Sequence, residues 1–160
     1  MRISPGDNIE VALLEAVLTC EELFRSQRAP MLRLAHLLLG PAGTPEDVGH
    51  DAFARMYRRY PSIVNPGGYL RTAVVNGCRA ELRKREVVAR VLPRLLRREN
   101  TGPGDYALAA LPRRQHMAIA LRYYEDLPES EIARLIGCRT SAVRSLLHHG
   151  FEALRRTLPA

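Results

Sequence analysis

Apolar residues recur every three to four positions along most of the chain, which is the spacing of amphipathic helices. No segment shows the strict alternation and regular turns of a β-sheet. The first apolar run, from about residue 8 to Leu39, predicts a pair of helices, for which Pro30 offers a bend. Its expected inward positions are Val11, Leu14, Leu18, Leu23, Leu34, Ala35 and Leu38. The pattern predicts an all-α fold.

Glycine, proline and threonine residues predict the limits of the next two helices. Gly40 is expected to end one helix and Thr44 to cap the next, with Pro45 at its first position. That helix should reach about Tyr60. After the turn-rich stretch YPSIVNPGG, at residues 60–68, a further helix is expected. The inward faces are predicted to be Val48, Ala52, Phe53 and Met56 in the first, and Leu70, Ala73, Val74, Cys78 and Leu82 in the second.

The last third of the chain predicts a helix, a tight turn and a second helix. Pro128 opens the first helix, where Ile132, Ala133 and Ile136 face inward, and Gly137 turns the chain. The second helix has an inward stripe of Val143, Leu147 and Leu154, and Gly150 on the same side indicates close packing. A helix-turn-helix, whose second helix enters the major groove of DNA, has this pattern, although any helical hairpin shares it.

Pro93 and the stretch ENTGPGD interrupt the helical pattern between the two halves. We therefore expect two small helical domains joined by a linker. The predicted boundaries are residues 1–88 for the first domain, 89–106 for the linker and 107–160 for the second, helix-turn-helix domain.

The net charge of +7 is concentrated in one segment. Residues 1–82 carry nine Lys or Arg against nine Asp or Glu, residues 83–98 carry seven against one, and residues 99–160 carry eight against seven. A basic block of this kind attracts a polyanion, unless it is only a solvated helix face. No apolar run approaches the roughly 18 residues of a membrane helix, and no export segment is evident, so we expect a cytoplasmic protein without membrane contact.

The sequence contains no constellation typical of catalysis or of a cofactor. There is no Gly-rich phosphate loop, no HExxH and no GxSxG motif. The three cysteines lack a CxxC pair and are expected to be reduced and mostly buried. Cys138 with His148 and His149 supplies only part of a metal-ligand set, so neither a metal nor a cofactor is expected, and we expect no enzyme.

Two stretches resemble a known family. Residues 111–147, LPRRQHMAIALRYYEDLPESEIARLIGCRTSAVRSLL, resemble region four of bacterial RNA polymerase sigma factors. Upstream, EELFRSQRAPMLRLAHLLLG, PEDVGHDAFARMYRRY and GYLRTAVVNGCRAELRKR resemble region two of the same proteins. The two resemblances cover most of residues 21–158 in the right order, without regions one and three. The chain is similar to the extracytoplasmic-function group.

The resemblance implies an alternative sigma factor that directs promoter recognition, promoter opening and transcription initiation. Region two would bind the clamp helices of the polymerase β′ subunit and open the minus-10 element. Region four would hold the β flap and read the minus-35 element. The implied partners are core RNA polymerase and promoter DNA, and members of this group are commonly sequestered by an anti-sigma factor.

The motif match places a polymerase-binding face on one region-two helix. Its implied residues are Glu46, Asp47, Asp51, Phe53 and Arg55. Glu46 and Asp47 are also suited to a helix N-terminus alone, which leaves a purely structural role open. Gly49 and His50 replace the usual Val and Gln, and a glycine inside a helix costs about 0.5 to 1 kcal/mol, so a weakened helix is expected.

Aromatic and basic residues around residues 60–68 suit the capture of unpaired bases, because bases stack on aromatic rings and cations attract phosphate. The alternative is that the tyrosines belong to the core. The basic end of the same domain would lie along DNA phosphates just upstream. The implied minus-10 residues are Tyr57, Arg58, Arg59, Tyr60, Asn65, Tyr69, Arg71, Arg79, Arg83, Lys84 and Arg85.

The second helix of the predicted helix-turn-helix would read the minus-35 element. The implied residues are Arg139, Thr140, Ser141, Arg144, Ser145, His148 and His149. Leu146 and His149 stand where the family often has arginine, so weak or altered reading of the element is expected. Histidine charges near pH 6.5, which suggests stronger DNA binding in acid, unless both histidines are only solvated.

Two other functions stay open at this point. One is a sigma-like regulator that binds polymerase or a partner protein without recognising promoters. The other is a simple helix-turn-helix repressor whose first half only dimerises.

Overall fold

The computed structural model describes residues 5–40, 43–91 and 107–158, with the side chains of residues 5–8, Ala16 and Leu18 left aside. Helices make up the described part, which contains no strand. In chain order they are α1 (Pro5–Leu39), α2 (Pro45–Arg59), a 3-10 turn (Tyr60–Ser62), α3 (Pro66–Val91), α4 (Arg113–Tyr123), α5 (Glu129–Ile136) and α6 (Thr140–Thr157). The predicted all-α fold is confirmed.

A first group of helices, α1 to α3, packs side by side around a core of aliphatic and sulfur-containing side chains. The expected inward faces of α2 and α3 are buried or half-buried, and Val75 is buried in addition. Gly49 is buried as well, and a Cβ there would lie 3.1 Å from Leu32 Cδ2. Gly49 therefore allows α1 and α2 to pack closely, and its expected cost to the stability of α2 stays a prediction.

The expected helix pair at the N-terminus is wrong, because α1 is one continuous helix of 35 residues with Pro30 inside it. Leu34, Ala35 and Leu38 are buried as expected. Val11 and Leu14 are exposed instead, which corrects their predicted inward placement. Leu18 lies outside the described side chains. These exposed residues lie in the half of α1 that extends beyond its neighbours. They have the apolar spacing of an amphipathic helix, but no described helix packs against them.

The start of α2 shows how its boundary is set. Gly40 ends α1 with a left-handed φ of 68°, and its N–H donates to the His36 carbonyl at 2.9 Å. Thr44 occupies the N-cap position and Pro45 the first helical position, as predicted. The Thr44 hydroxyl makes no capping hydrogen bond. Pro45 favours the helix start instead, because it has the helical φ and no N–H that would need a partner.

A second group, α4 to α6, forms a three-helix bundle that contains the predicted helix-turn-helix. Ile132, Ile136 and Val143 are completely or almost completely buried. Gly150 is also buried, and a Cβ built there would lie 2.6 Å from Ile119 Cδ1. Its predicted role in close packing is confirmed, because any side chain would meet α4.

The buried residues of both groups form one continuous core. Arg33 Nε donates to the Tyr124 hydroxyl at 3.0 Å, and His116 Nε2 lies 2.8 Å from the Leu37 carbonyl oxygen. Burial lowers the pKa of His116, against the smaller effect of that hydrogen bond. The end of α1 is therefore packed and hydrogen-bonded against α4.

No disulfide joins the three cysteines, all of which lie among the described residues. Cys20 and Cys78 are buried and Cys138 is half-buried. Burial raises the pKa of the Cys78 thiol to about 12, so this group is an inert part of the core. None of the described helices has the length and apolar character that crossing a membrane requires.

Candidate nucleic-acid interface

A turn between α5 and α6 sets the position of α6. Gly137 ends α5 in the left-handed region, with φ 73° and ψ 48°. The N–H groups of Gly137 and Cys138 both donate to the Ala133 carbonyl, at 2.9 and 3.0 Å. These bonds satisfy the end of α5 and direct the chain sharply into α6. The first turns of α6 thus lie at the surface.

The exposed residues at the start of α6 are those that the sequence assigned to minus-35 reading. We call them the α6 surface: Arg139, Thr140, Ser141, Arg144, Ser145, His148 and His149, all exposed. Arg144 Nε is paired with Glu129 Oε2 at 2.6 Å, and the rings of His148 and His149 are 5.5 Å apart. Arg144 is 72% exposed, so water screens this ion pair and leaves the guanidinium accessible.

Leu146 has a packing role that the sequence interpretation missed. It is half-buried and packs against the hydrophobic core. On the other side of α6, the ring of Phe151 lies edge-on to Tyr123 with centroids 5.1 Å apart. Leu146 therefore contributes apolar packing at a position where an arginine would pack only its aliphatic stem and carry its charge to the surface.

Arg71, at the start of α3, is held by the second group of helices. Its Nε donates to Glu125 Oε2 at 2.8 Å, and the Glu125 side chain is only 10% exposed. Glu125 comes from the loop between α4 and α5. The pair is less screened than a surface ion pair, because the carboxylate is almost enclosed.

Arg79, two turns further along α3, is engaged in the same way. Its Nη1 donates to the Leu135 carbonyl at 3.1 Å. Burial lowers the pKa of Arg79, and so do the neighbouring cations Arg83, Arg113 and Arg114. The end of α3 and the start of α4 therefore form one positively charged region.

Arg83 and Lys84 are exposed, and Arg85 is half-buried. Arg85 lies 3.6 Å from Glu81 and 3.5 Å from the Leu39 carbonyl, which it reaches with Nη1. We call Arg71, Arg79, Arg83, Lys84 and Arg85 the α3 surface. Arg83 Nε donates to the Arg79 carbonyl of its own helix at 3.4 Å but stays exposed, as does Lys84. The other three residues are half-buried by contacts that reach outside α3.

The aromatic residues around the 3-10 turn differ in exposure. Tyr57 is exposed, whereas Tyr60 and Tyr69 are half-buried and pack against the core. Arg58 and Arg59 are exposed beside them. The two half-buried tyrosines thus have a structural role, and their exposed faces are all that an unpaired base could contact.

Asn65 is used at the start of α3. Its Oδ1 accepts a hydrogen bond from the Gly68 N–H at 3.0 Å, as an N-cap does. A Cβ at Gly68 would lie 2.9 Å from Asn65 Nδ2, so a side chain there would displace the asparagine amide. Asn65 therefore stabilises the loop before α3. Only its amide nitrogen is left for a contact with DNA, because its oxygen is already hydrogen-bonded.

The expected polymerase-binding residues on α2 fall into two classes. Glu46, Asp47, Asp51 and Arg55 are exposed, with an Arg55–Asp51 ion pair of 2.9 Å. Phe53 is buried, and its ring packs edge-on against Phe24 with centroids 4.9 Å apart. We correct its role accordingly: Phe53 anchors α2 to α1, because its ring lies inside the core.

Sequence reasoning missed three residues that matter for these surfaces. Glu125 and His116 bind partners on the first group, and Arg113 pairs with Glu86 of α3 at 2.9 Å. The partners are distant in sequence, so no local motif could indicate them. Among the described residues, no cluster of three or more His, Cys, Asp or Glu side chains is placed to hold a metal ion.

Comparisons with known proteins show which family the chain resembles. Residues 105–154 match the family model described as sigma-70, region 4. The RNA polymerase sigma-E factor of Streptomyces coelicolor is 30% identical over 156 residues, covering 90% of this chain and 88% of that protein. The sigma-E factor of Streptomyces antibioticus is 29% identical over 154 residues, covering 89% and 86%.

A solved structure shows the same fold. The sigma factor RpoE of Bartonella quintana, crystallised with the anti-sigma factor NepR, has a TM-score of 0.74 at 16% identity, covering 86% of this chain and 94% of that one. The relationship indicated by the sequence is thus confirmed. The chain belongs to the extracytoplasmic-function group of sigma-70 family factors, the alternative sigma factors that act in transcription initiation.

Proposed function

We propose that the two groups of helices divide the work of promoter recognition. Residues 1–88 bind core RNA polymerase and open the minus-10 element, residues 107–160 hold the β flap and read the minus-35 element, and residues 89–106 link them. The observation that carries this proposal is the α6 surface. Seven exposed polar or basic side chains follow a tight turn on a helix that is fixed by the buried Gly150.

The start of α6 is suited to the major groove. Arg139 and Arg144 supply charge for phosphates and guanine edges, and the short side chains of Thr140, Ser141 and Ser145 allow the helix to approach the bases. His148 and His149 lie one to two turns later, where a helix leaves the groove, so we assign them to phosphate contacts.

The exposed acidic face of α2 supports binding to polymerase. Glu46, Asp47 and Asp51 point to solvent on a helix whose opposite face is fixed in the core. A basic surface on the β′ clamp helices would meet these carboxylates. Gly49 lies on the buried side of α2, where the absence of a side chain allows close packing against α1.

The α3 surface supports contacts with the upstream edge of the opened DNA. Arg83 and Lys84 are available for phosphates in the closed arrangement. Arg71 and Arg79 become available when the second group of helices moves away, because Glu125 and the Leu135 carbonyl then release them. Binding to polymerase, which holds the two groups at separate sites, would supply that separation.

The partners we propose are core RNA polymerase, promoter DNA and an anti-sigma factor, in the cytoplasm. The relative RpoE was crystallised with an anti-sigma factor, which supports the third partner. The chain needs no cofactor in this function, because the polymerase performs the chemistry. Sigma factors are not enzymes in their own right.

Transcription with purified core polymerase tests the proposal. The template is a pool of linear DNA fragments with randomised minus-35 and minus-10 elements, and the 5′ ends of the transcripts are sequenced. We expect initiation at a fixed distance from one enriched pair of elements. The variant Arg139→Gln with Arg144→Gln should lose the minus-35 preference and keep polymerase binding.

Other outcomes distinguish the alternatives. Polymerase binding without transcripts would indicate a sigma-like regulator, and DNA binding without polymerase binding would indicate a helix-turn-helix repressor. The control is Arg134→Gln, because Arg134 is exposed on α5 and its ion pair with Glu131 stays within that helix.

A further inference from the structure

The first half of α1 carries an apolar stripe on the outside of the molecule. Ile9, Leu13 and Val17 lie on one side of the helix, and between 51% and 63% of each residue is exposed. The same side continues into Cys20, which is buried, and Phe24, which packs against the core. The stripe Ile9–Leu13–Val17 is therefore the outer end of a core-facing surface.

The stripe is exposed because α1 extends beyond its neighbours. Cys78 Sγ lies 3.9 Å from the Ala35 carbonyl, and Arg85 Nη1 lies 3.5 Å from the Leu39 carbonyl, so α1 and α3 run side by side in the same direction. Both helices rise by about 1.5 Å per residue. Pro66, the first residue of α3, is therefore level with residues near Leu23, and the stripe lies beyond it.

Acidic residues border the stripe. Helical spacing places Glu10 and Glu21 along one edge of it, and no Lys or Arg occurs between residues 3 and 24, where five acids stand. Within the described side chains of α1, Glu21 is paired only with Arg25 of the same helix, at 2.6 Å. A partner for this surface must combine apolar side chains with positive charge.

The other end of the molecule carries such a surface, at the end of α3. Val87, Val88 and Val91 are between 43% and 71% exposed. Helical spacing places Lys84 and Arg90 on either side of Val87 and Val91. The ion pairs of the described residues include neither of these two cations, whereas Glu86 is neutralised by Arg113. We call this the valine surface.

We propose that the stripe of one copy of this chain binds the valine surface of a second copy. The apolar side chains of both surfaces would be removed from water, and the acidic residues beside the stripe would meet the basic residues beside the valine surface. The two surfaces lie at opposite ends of the molecule. Two copies placed side by side in opposite directions therefore join both pairs at once and form a closed two-fold dimer. Pairing of two stripes, or of two valine surfaces, is disfavoured by like charge.

Sedimentation velocity of the full chain tests this proposal. We expect a dimer at about 50 mM salt that dissociates as the salt is raised to about 500 mM, because screening removes the charge attraction. Leu13→Gln with Val17→Gln should weaken the dimer at least about tenfold, since both positions lose apolar contact. The matched control is Leu158→Gln, because Leu158 is 52% exposed and belongs to neither surface.

Charge reversal identifies which surfaces meet. Glu10→Lys with Glu21→Lys should make the chain monomeric, and so should Lys84→Glu with Arg90→Glu. A mixture of the two variants should restore dimers, because each stripe then meets a valine surface of opposite charge. Circular dichroism checks that each variant keeps its helix content and thermal midpoint.

Three results would overturn the proposal. One is a wild-type chain that stays monomeric at low salt and high concentration. Another is a dimer that the stripe variants and the mixture leave unchanged, since association would then use another surface. The third is a monomeric chain whose Leu13→Gln, Val17→Gln variant loses affinity for core polymerase, which would assign the stripe to the polymerase.

Discussion

The α6 surface and the α3 surface both carry basic residues on a helix, yet they differ in how many of those side chains are available to DNA. Every residue of the α6 surface is exposed, and its one ion pair, Arg144–Glu129, is screened by water. On the α3 surface, Arg71 and Arg79 are held by Glu125 and the Leu135 carbonyl. The first surface can meet DNA as it is, whereas the second requires the two groups of helices to separate.

The difference follows from what each surface is packed against. The α6 surface is the outer side of a helix whose inner side is fixed by Val143 and Gly150. The α3 surface lies between the two groups, so the same side chains serve internal contacts and DNA contacts at different times. Whether a basic side chain is available to DNA therefore depends more on the helices packed beside it than on the charge of its own helix.

The largest effect is expected from damage to the support of α6. Gly150→Val would place a branched side chain where even a Cβ would lie 2.6 Å from Ile119 Cδ1, at a cost of about 1 to 3 kcal/mol. Chemical denaturation should show this loss, and minus-35 binding should fall with it. In Gly150→Ala combined with Ile119→Val, the missing Cδ1 makes room, so stability should be close to wild type. Equal stability of Gly150→Val and wild type would contradict the packing role.

The next effect concerns the exposed cations of the α3 surface. Arg83→Gln with Lys84→Gln should reduce the slope of log affinity against log salt by up to about 2 in holoenzyme binding to promoter DNA, since each phosphate contact contributes about 0.9. Arg85→Gln is the matched comparison. Arg85 is already held by Glu81 and the Leu39 carbonyl, so its loss should change the slope little. Equal changes in both variants would remove the distinction between occupied and available residues.

A smaller effect is expected from releasing Arg71. Glu125→Gln removes the charge of the ion pair and keeps the side-chain shape, so the chain without polymerase should bind a nontemplate minus-10 oligonucleotide about fivefold more tightly, which corresponds to about 1 kcal/mol. Glu131→Gln is the control, because its pair with Arg134 lies within α5. If both variants bind like wild type, the contact with Glu125 does not limit access to Arg71.

The smallest effect is a pH dependence of the contact between the groups. Burial lowers the pKa of His116 in the folded protein, so protonation favours unfolding. The stability contributed by the neutral ring is complete above the unfolded value of about 6.5 and is lost as the pH falls below it, towards the lower folded value. His116→Gln keeps an N–H donor for Leu37 and does not titrate.

Denaturation of that variant should therefore show a shallower loss of stability between about pH 7 and about pH 5 than the wild type does. His50→Gln, on the exposed side of α2, provides the comparison. Parallel curves for wild type and His116→Gln would exclude this histidine as the cause of any acid sensitivity.

The faces of α2, α5 and α6 could be predicted because their periodicity and their partners lie close together in the sequence. Spacing alone places Ile132, Ile136 and Val143 on inward faces, and all three are buried. The same reasoning failed for Val11 and Leu14, because periodicity shows that a helix has an apolar side and does not show whether a neighbour extends alongside it.

The candidate sites were harder to predict, since they depend on contacts between distant residues. Arg71 and Glu125 are 54 positions apart, and nothing in either local motif indicates the other. A motif match places Phe53 on the polymerase-binding face, whereas its ring packs on Phe24. A motif identifies which helix carries a function, and the three-dimensional packing decides which of its side chains can reach a partner.

The continuity of α1 has a mechanical consequence. A helix of 35 residues is a rod about 50 Å long, with one end outside the bundle and the other hydrogen-bonded to α4 through Arg33 and Leu37. A load applied at the outer end is carried along the rod to the point where the two groups of helices meet. The N-terminal half of α1 is therefore a lever arm, and the junction with α4 is its fulcrum.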